Sequence, residues 1–135
     1  MRLRLALVSI LVPDYDAGIA FFVGQMGFDL LEDTDLGGGK RWVRVAPKEA
    51  ETAFLLAKAV GDQQVAAIGN QGGGRVWLFL QTDDFDRDHA AIVAKGVIFE
   101  EPPRDEPYGQ VAVFADPFGN RWDLIQFRES GMGSG

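Results

Sequence analysis

Few side chains in this sequence can do chemistry, and those few fall in a pattern. There is no cysteine and a single histidine, His89. Thiolate chemistry is therefore closed to the chain, and so is a two-histidine metal site within one protomer. The most suggestive carboxylate is Asp123, in Arg121-Trp122-Asp123-Leu124-Ile125. Alternation along a strand sets Trp122 and Leu124 on one side and Asp123 on the other. A carboxylate on an apolar face is costly unless it is paired or hydrogen-bonded. Its functional reading is an anchor for a cationic or hydroxyl group of a ligand, or a general base; its structural reading is a salt-bridge partner of Arg44 or Arg121, or a relic of an ancestral metal site. Trp42, Trp77 and Phe79 sit at alternating positions, with Arg44 beside Trp42. Such rings stack on flat ligands or equally plug a cleft as a second core. Tyr108, in Glu106-Pro107-Tyr108-Gly109, is either part of a lid before the seventh strand or a simple surface turn. His89 falls with Phe85 and Ile92 on the packing side of a helix, and a structural role is its better reading.

The elements that must position these residues come as the same unit twice. Leu7 to Asp16 aligns with Trp77 to Asp86, each followed by a helix-like run that ends at Gly27 or Gly96. The first copy predicts a strand over 5–12, then a helix over 15–26 capped by Asp14, with Ile19, Phe22, Val23 and Met26 at helical spacing. Strands over 28–32, 41–46 and 52–57 follow, with Gly37-Gly38-Gly39 as a hairpin turn. The second copy predicts a strand over 76–82, a helix over 84–95, a strand over 97–100, a loop over 102–107, and strands over 110–115 and 121–127. Residues 60–74 read as a linker with a short helix over 63–68. Each copy is thus βαβββ, an α+β module whose helix covers one sheet face and leaves the other free to curl around something. The matching places on that free face are Leu7 and Trp77 on the first strands, and Leu55 and Asp123 on the last.

The segments Val12-Pro13-Asp14, Phe21-Phe22, Gly27-Phe28 and above all Phe114-Ala115-Asp116-Pro117-Phe118-Gly119-Asn120-Arg121-Trp122-Asp123-Leu124 resemble the vicinal oxygen chelate superfamily. That superfamily includes glyoxalase I, bleomycin-resistance proteins, fosfomycin-resistance enzymes and extradiol dioxygenases. The resemblance runs from Leu3 to about Arg128. It implies two βαβββ modules whose eight strands enclose a curved cleft, in one domain over 1–129 (module one 3–59, linker 60–74, module two 75–128). In many members four side chains, usually His and Glu, hold a divalent metal there. Carried over, the four places are Leu7, Leu55, Trp77 and Asp123, of which only Asp123 can bind a cation. The expectation is therefore a member with no metal and no other cofactor, binding a small apolar or aromatic molecule through Trp42, Arg44, Trp77, Phe79, Tyr108 and Asp123. The alternative is a glyoxalase/lyase- or dioxygenase-type enzyme, metal-free or with a rebuilt metal site that includes Asp123.

Composition narrows the partners. A net charge of -7, with 13 scattered basic residues against 20 acidic ones, argues against nucleic acid. No apolar run is long enough to span a bilayer as a helix. The absence of cysteine fits a reducing cytosol. Bare sheet edges and an apolar free face suggest a homodimer. The glycine-rich runs at 37–39 and 72–74 lack the spacing of a phosphate loop. The acids Asp83, Asp84, Asp86 and Asp88 fit a helix start better than a calcium loop. Residues 130–135 read as a disordered tail.

Overall fold

A computed structural model describes residues 1–129; the expected tail lies outside them. The described residues divide into two compact units, with the division between Gln71 and Gly72. The first unit contains β1 (Leu7–Val12), α1 (Tyr15–Ile19), β2 (Asp29–Gly37), β3 (Lys40–Ala46), β4 (Ala53–Lys58) and α2 (Gly61–Ala67). The second contains β5 (Val76–Gln81), α3 (Phe85–Ala94), β6 (Arg104–Glu106), β7 (Gly109–Ala115) and β8 (Arg121–Phe127). Each forms a four-stranded mixed sheet, ordered β1-β4-β3-β2 and β5-β8-β7-β6. In both, the first and last strands are parallel neighbours, and the rest of the meander is antiparallel. The sequence repeat is thus a repeat of topology.

The helix starts form as expected. Asp14 accepts a hydrogen bond from the Ala17 amide at 2.7 Å, and Asp84 accepts one from Arg87 at 3.1 Å. Gly27 and Gly96, both at positive φ, turn the chain out of the helical runs. The buried face of the first run differs from expectation. After Ile19 the helix widens into a π-helical segment, Ala20–Gln25. This places the adjacent residues Phe21 and Phe22 both inside, with Tyr15 and Gly18, while Ile19, Val23 and Met26 are only half-buried. One extra residue per turn rotates the helical face, which a 3.6-residue period cannot anticipate. Phe22 then packs against Phe28 and Phe54, with ring centroids 5.7 and 6.4 Å away.

The second strand of module two also departs from expectation. Residues 97–100 form no strand; only Phe99 bridges, to Phe114. The paired segment is β6, in what was expected to be a loop. Pro102-Pro103 cannot donate to a ladder, so the edge bulges out between the Phe99 bridge and Arg104↔Val111. Pro107-Tyr108 then closes a two-residue hairpin between Glu106 and Gly109.

The turn between β7 and β8 is held by one carboxylate. Asp116 Oδ1 accepts from the amides of Phe118, Gly119 and Asn120, each at 3.0 Å, and Oδ2 accepts from Trp122 Nε1 at 2.9 Å. Asp116 is buried, and Trp122 is 1% exposed. Asp116→Ala removes the side-chain acceptor of the Phe118 and Asn120 amides and of the Trp122 indole, while the Gly119 amide keeps its 3.0 Å bond to the residue-116 carbonyl. It should cost at least about 3 kcal/mol in denaturant unfolding, since bonds to charged acceptors are the strong ones. Two glycines give a pair of opposite sign. A Cβ at Gly109 would fall against the Gln126 carbonyl, whereas one at Gly24 meets nothing within 4 Å. Gly109→Ala should lose about 1–3 kcal/mol by overpacking. Gly24→Ala should be neutral or up to about 1 kcal/mol more stable. Thermal melts of the two variants check both signs.

Candidate functional site

Strand alternation sorts the side chains as the sequence suggests. In module one, Ile10, Val12, Val43, Val45, Phe54 and Leu56 are buried. Leu7, Leu55, Trp42 and Arg44 take the opposite, helix-free face, half-exposed. Arg44 lies across from Leu55 on one side and Glu32 on the other. Its guanidinium bonds to the Glu32 carboxylate at 3.0 Å. That bond, with the Thr34 hydroxyl, holds the Glu32 carboxyl below the usual carboxylate range. Arg44 is therefore an internally paired cation. Sequence reading missed Glu32 as its partner because the β2–β3 register, which shifts between Leu30 and Glu32, is what sets the two opposite each other.

In module two, Leu78 and Leu80 pair with Trp122 and Leu124, which places Phe79 opposite Asp123, and Asp123 in turn opposite Val113, on the helix-free face. Phe79 is 61% exposed, while Asp123 is 5% exposed. Asp123 makes no ion pair among the described residues. Arg121 instead bonds to Glu100 at 2.9 Å, and Arg44 is held by Glu32, so neither expected salt bridge forms. Asp123 Oδ1 meets no donor among the described residues. Burial pushes the Asp123 carboxyl above its ordinary 3.8, against the pull of Arg104, the Ala112 main chain and Arg121. Arg104 was invisible as a neighbour because its segment read as a loop.

The remaining candidates are placed as follows. Trp77 sits where the β5/β8 register slips between Val76 and Leu78. This bulge breaks the alternation that had paired Trp77 with Leu7. The indole packs closely over Gly72, where a Cβ would come within 2.8 Å of the Trp77 Cβ. Tyr108 is half-buried in the β6–β7 hairpin, its carbonyl accepting from the Arg128 amide at 3.0 Å. It belongs to a tight turn and not to an overhanging loop. His89 packs between aromatic rings, 5.5 Å from Phe85 and 4.3 Å from Phe99. Of the acidic run, Asp84 caps α3, while Asp83 and Asp88 bond to Arg87 at 2.8 and 3.0 Å.

The family's metal does not fit this donor set. Leu7, Leu55 and Trp77 offer no ligand atom. Among the described residues, no group of three or more His, Cys, Asp or Glu could hold an ion. No described helix is long and apolar enough to cross a membrane.

Two βαβββ modules with an aspartate-capped final turn define the class, and a family model agrees over residues 4–124. The chain belongs to the Glyoxalase/Bleomycin resistance protein/Dioxygenase superfamily. It is 45% identical over 131 residues to an uncharacterized protein of Shewanella frigidimarina, covering 96% of this chain and 97% of that one. Among solved structures it is similar to UcmS2, at 29% identity and TM-score 0.79, covering 93% of this chain and 98% of that one. It is also similar to TnmS3, an antibiotic binding protein from Streptomyces sp. CB03234, at 32% identity and TM-score 0.72, covering 94% and 98%.

The buried carboxyl makes a pH-dependent prediction. A group whose pKa is raised by folding contributes stability below its unfolded value and loses it as pH rises through the folded one. Asp123→Asn should therefore be more stable than the parent near pH 7, by on the order of 1 kcal/mol. The gap should close as pH falls below the ordinary 3.8, as paired melts across pH would show. The donor set makes a second prediction. Protein purified without added metal should carry far less than about one equivalent of zinc, nickel, manganese or iron. Elemental analysis giving a full equivalent, lost in Asp123→Ala, would contradict it.

Proposed function

We propose that this chain binds a small, flat, apolar or aromatic molecule on the helix-free face of its second sheet, without a metal. The observation that carries the reading is the pairing of Phe79 with Asp123. A large aromatic ring stands exposed directly beside a buried carboxyl with an unused oxygen. Apolar area with one placed polar group is the usual composition of a ligand site. The ring supplies contact area, and the carboxyl orients a ligand's hydroxyl or amine. In the first module the leucines at positions 7 and 55, where metal-binding members carry ligands, leave the helix-free face of its own sheet without a ligand atom. Similarity to TnmS3, described as an antibiotic binding protein, supports a binding role over a metal-dependent reaction. The same reading takes the protein as a cytosolic homodimer. It is supported by the nine-residue edge strand β2, which exposes Leu30, Leu31 and Leu36. Light scattering at tens of micromolar tests the mass.

Titration with a panel of neutral flat hydrophobic molecules, followed by calorimetry, tests the binding. Phe79→Ala should lower affinity about tenfold or more, as loss of an aromatic anchor does. It should leave the melting temperature nearly unchanged, because the ring is exposed. Asp123→Asn should alter selectivity among donor-bearing ligands more than affinity for those lacking a donor. If nothing in the panel binds, and Trp77→Ala costs roughly 3–5 kcal/mol as a cavity does, the aromatic residues are core and the reading fails.

A further inference from the structure

The β3–β4 ladder is short. It covers Val43↔Leu56, Arg44↔Leu55 and Val45↔Phe54 and stops there. Yet β3 begins at Lys40 and β4 ends at Lys58. Beyond the last pair, β4 stays with β1 through Leu11↔Ala57 and Val12↔Lys58, while β3 stays with β2 through Thr34↔Trp42 and Asp35↔Arg41. Each strand follows its outer neighbour, and the two part. The opening is a notch of about 580 Å³ whose lining includes Tyr15, Trp42, Leu55, Lys40, Arg41 and Lys58. That volume suits a small ligand, and every residue lining it belongs to the first unit.

The charge of the notch runs against that of the chain. The protein carries -7 overall, but the lining has three cations and no carboxylate. Arg41 is already neutralised, bonding to Asp33 at 2.7 Å and Asp16 at 2.9 Å. Its guanidinium also lies 5.3 Å from the centre of the Tyr15 ring, so it serves as wall. Lys40 and Lys58 make no ion pair among the described residues. Two uncompensated ammonium groups beside an indole and a leucine match a planar ring that carries negative charge.

We propose that this notch binds a small planar aromatic anion, its ring against Trp42 and Leu55 and its charge met by Lys40 and Lys58. The site goes beyond the Phe79–Asp123 face, and its test separates the two. The probes are 2-naphthoate and its neutral carboxamide, titrated calorimetrically into the full chain. The expected result is saturable naphthoate binding, weakened about tenfold or more in Lys40→Gln/Lys58→Gln and by added salt, as an ionic contact requires. The carboxamide should bind more weakly and ignore the lysines, and Trp42→Ala should weaken both. Phe79→Ala should leave naphthoate binding intact, whatever it does to neutral ligands. Both lysines are at the surface, so the double variant should melt with the parent. Naphthoate binding that is absent, or equal in parent and double variant, overturns the inference while leaving the neutral-ligand proposal to its own test.

Discussion

Four N–H groups converge on the carboxylate of Asp116, and the geometry of the second module follows from that convergence. Three of the donors are consecutive main-chain amides of the turn, and the fourth is the indole of Trp122. The amides fix where β7 ends and β8 begins, so the seven pairs from Gly109↔Phe127 to Ala115↔Arg121 run in a single register. The indole bond commits Trp122 to the packing face. Because side chains alternate, that commitment sends Asp123 to the other face. A one-residue slip would exchange a buried tryptophan for a buried carboxylate, which is why the register is firmly held. The most family-like segment of the sequence is thus a structural device. Its turn positions Asp123, the candidate site residue that the same segment carries.

The same logic explains how much of the architecture was legible. Two aspartate caps, two helix-ending glycines and a glycine hairpin are local signals that act through local backbone chemistry, and all formed where their residue types placed them. Alternation gave the faces of β3, β4 and β8 because one face of each sheet must be buried. The misses share a cause of another kind. The π-helical widening that brings Phe21 and Phe22 inside, the Pro102-Pro103 bulge and the register slip at Trp77 each insert one or more residues into a regular period. A period carries no record of where it is interrupted. The residues at each interruption were therefore assigned to the wrong face or the wrong element.

The candidate site was legible in position but not in partnership. Phe79 and Asp123 share a face, as spacing required, yet the carboxyl was expected to meet Arg44 or Arg121. Both arginines found carboxylates nearer in the sheet, Glu32 through the β2–β3 ladder and Glu100 on the bulged edge. A guanidinium near an exposed carboxylate gains the pair at little desolvation cost. Reaching a buried one would strip water from both. The competition therefore favours the surface acids and leaves Asp123 with an idle oxygen.

That outcome bears on what a chain retains when metal ligands are replaced. The family's ligand places are the first and last strands of each module, which lie side by side as β1–β4 and β5–β8. With leucine at 7 and 55, the first pair becomes apolar surface. In the second pair, Trp77 is drawn onto the backbone at Gly72 by the bulge, and Phe79 becomes the residue that flanks Asp123. A lone carboxylate without companions cannot gather a cation, and burial raises the cost of its charge. What it does well is accept one hydrogen bond, in a place where the alternative is none. With no ligand atom at the other three places, Asp123 stands as a single directional acceptor beside an aromatic ring.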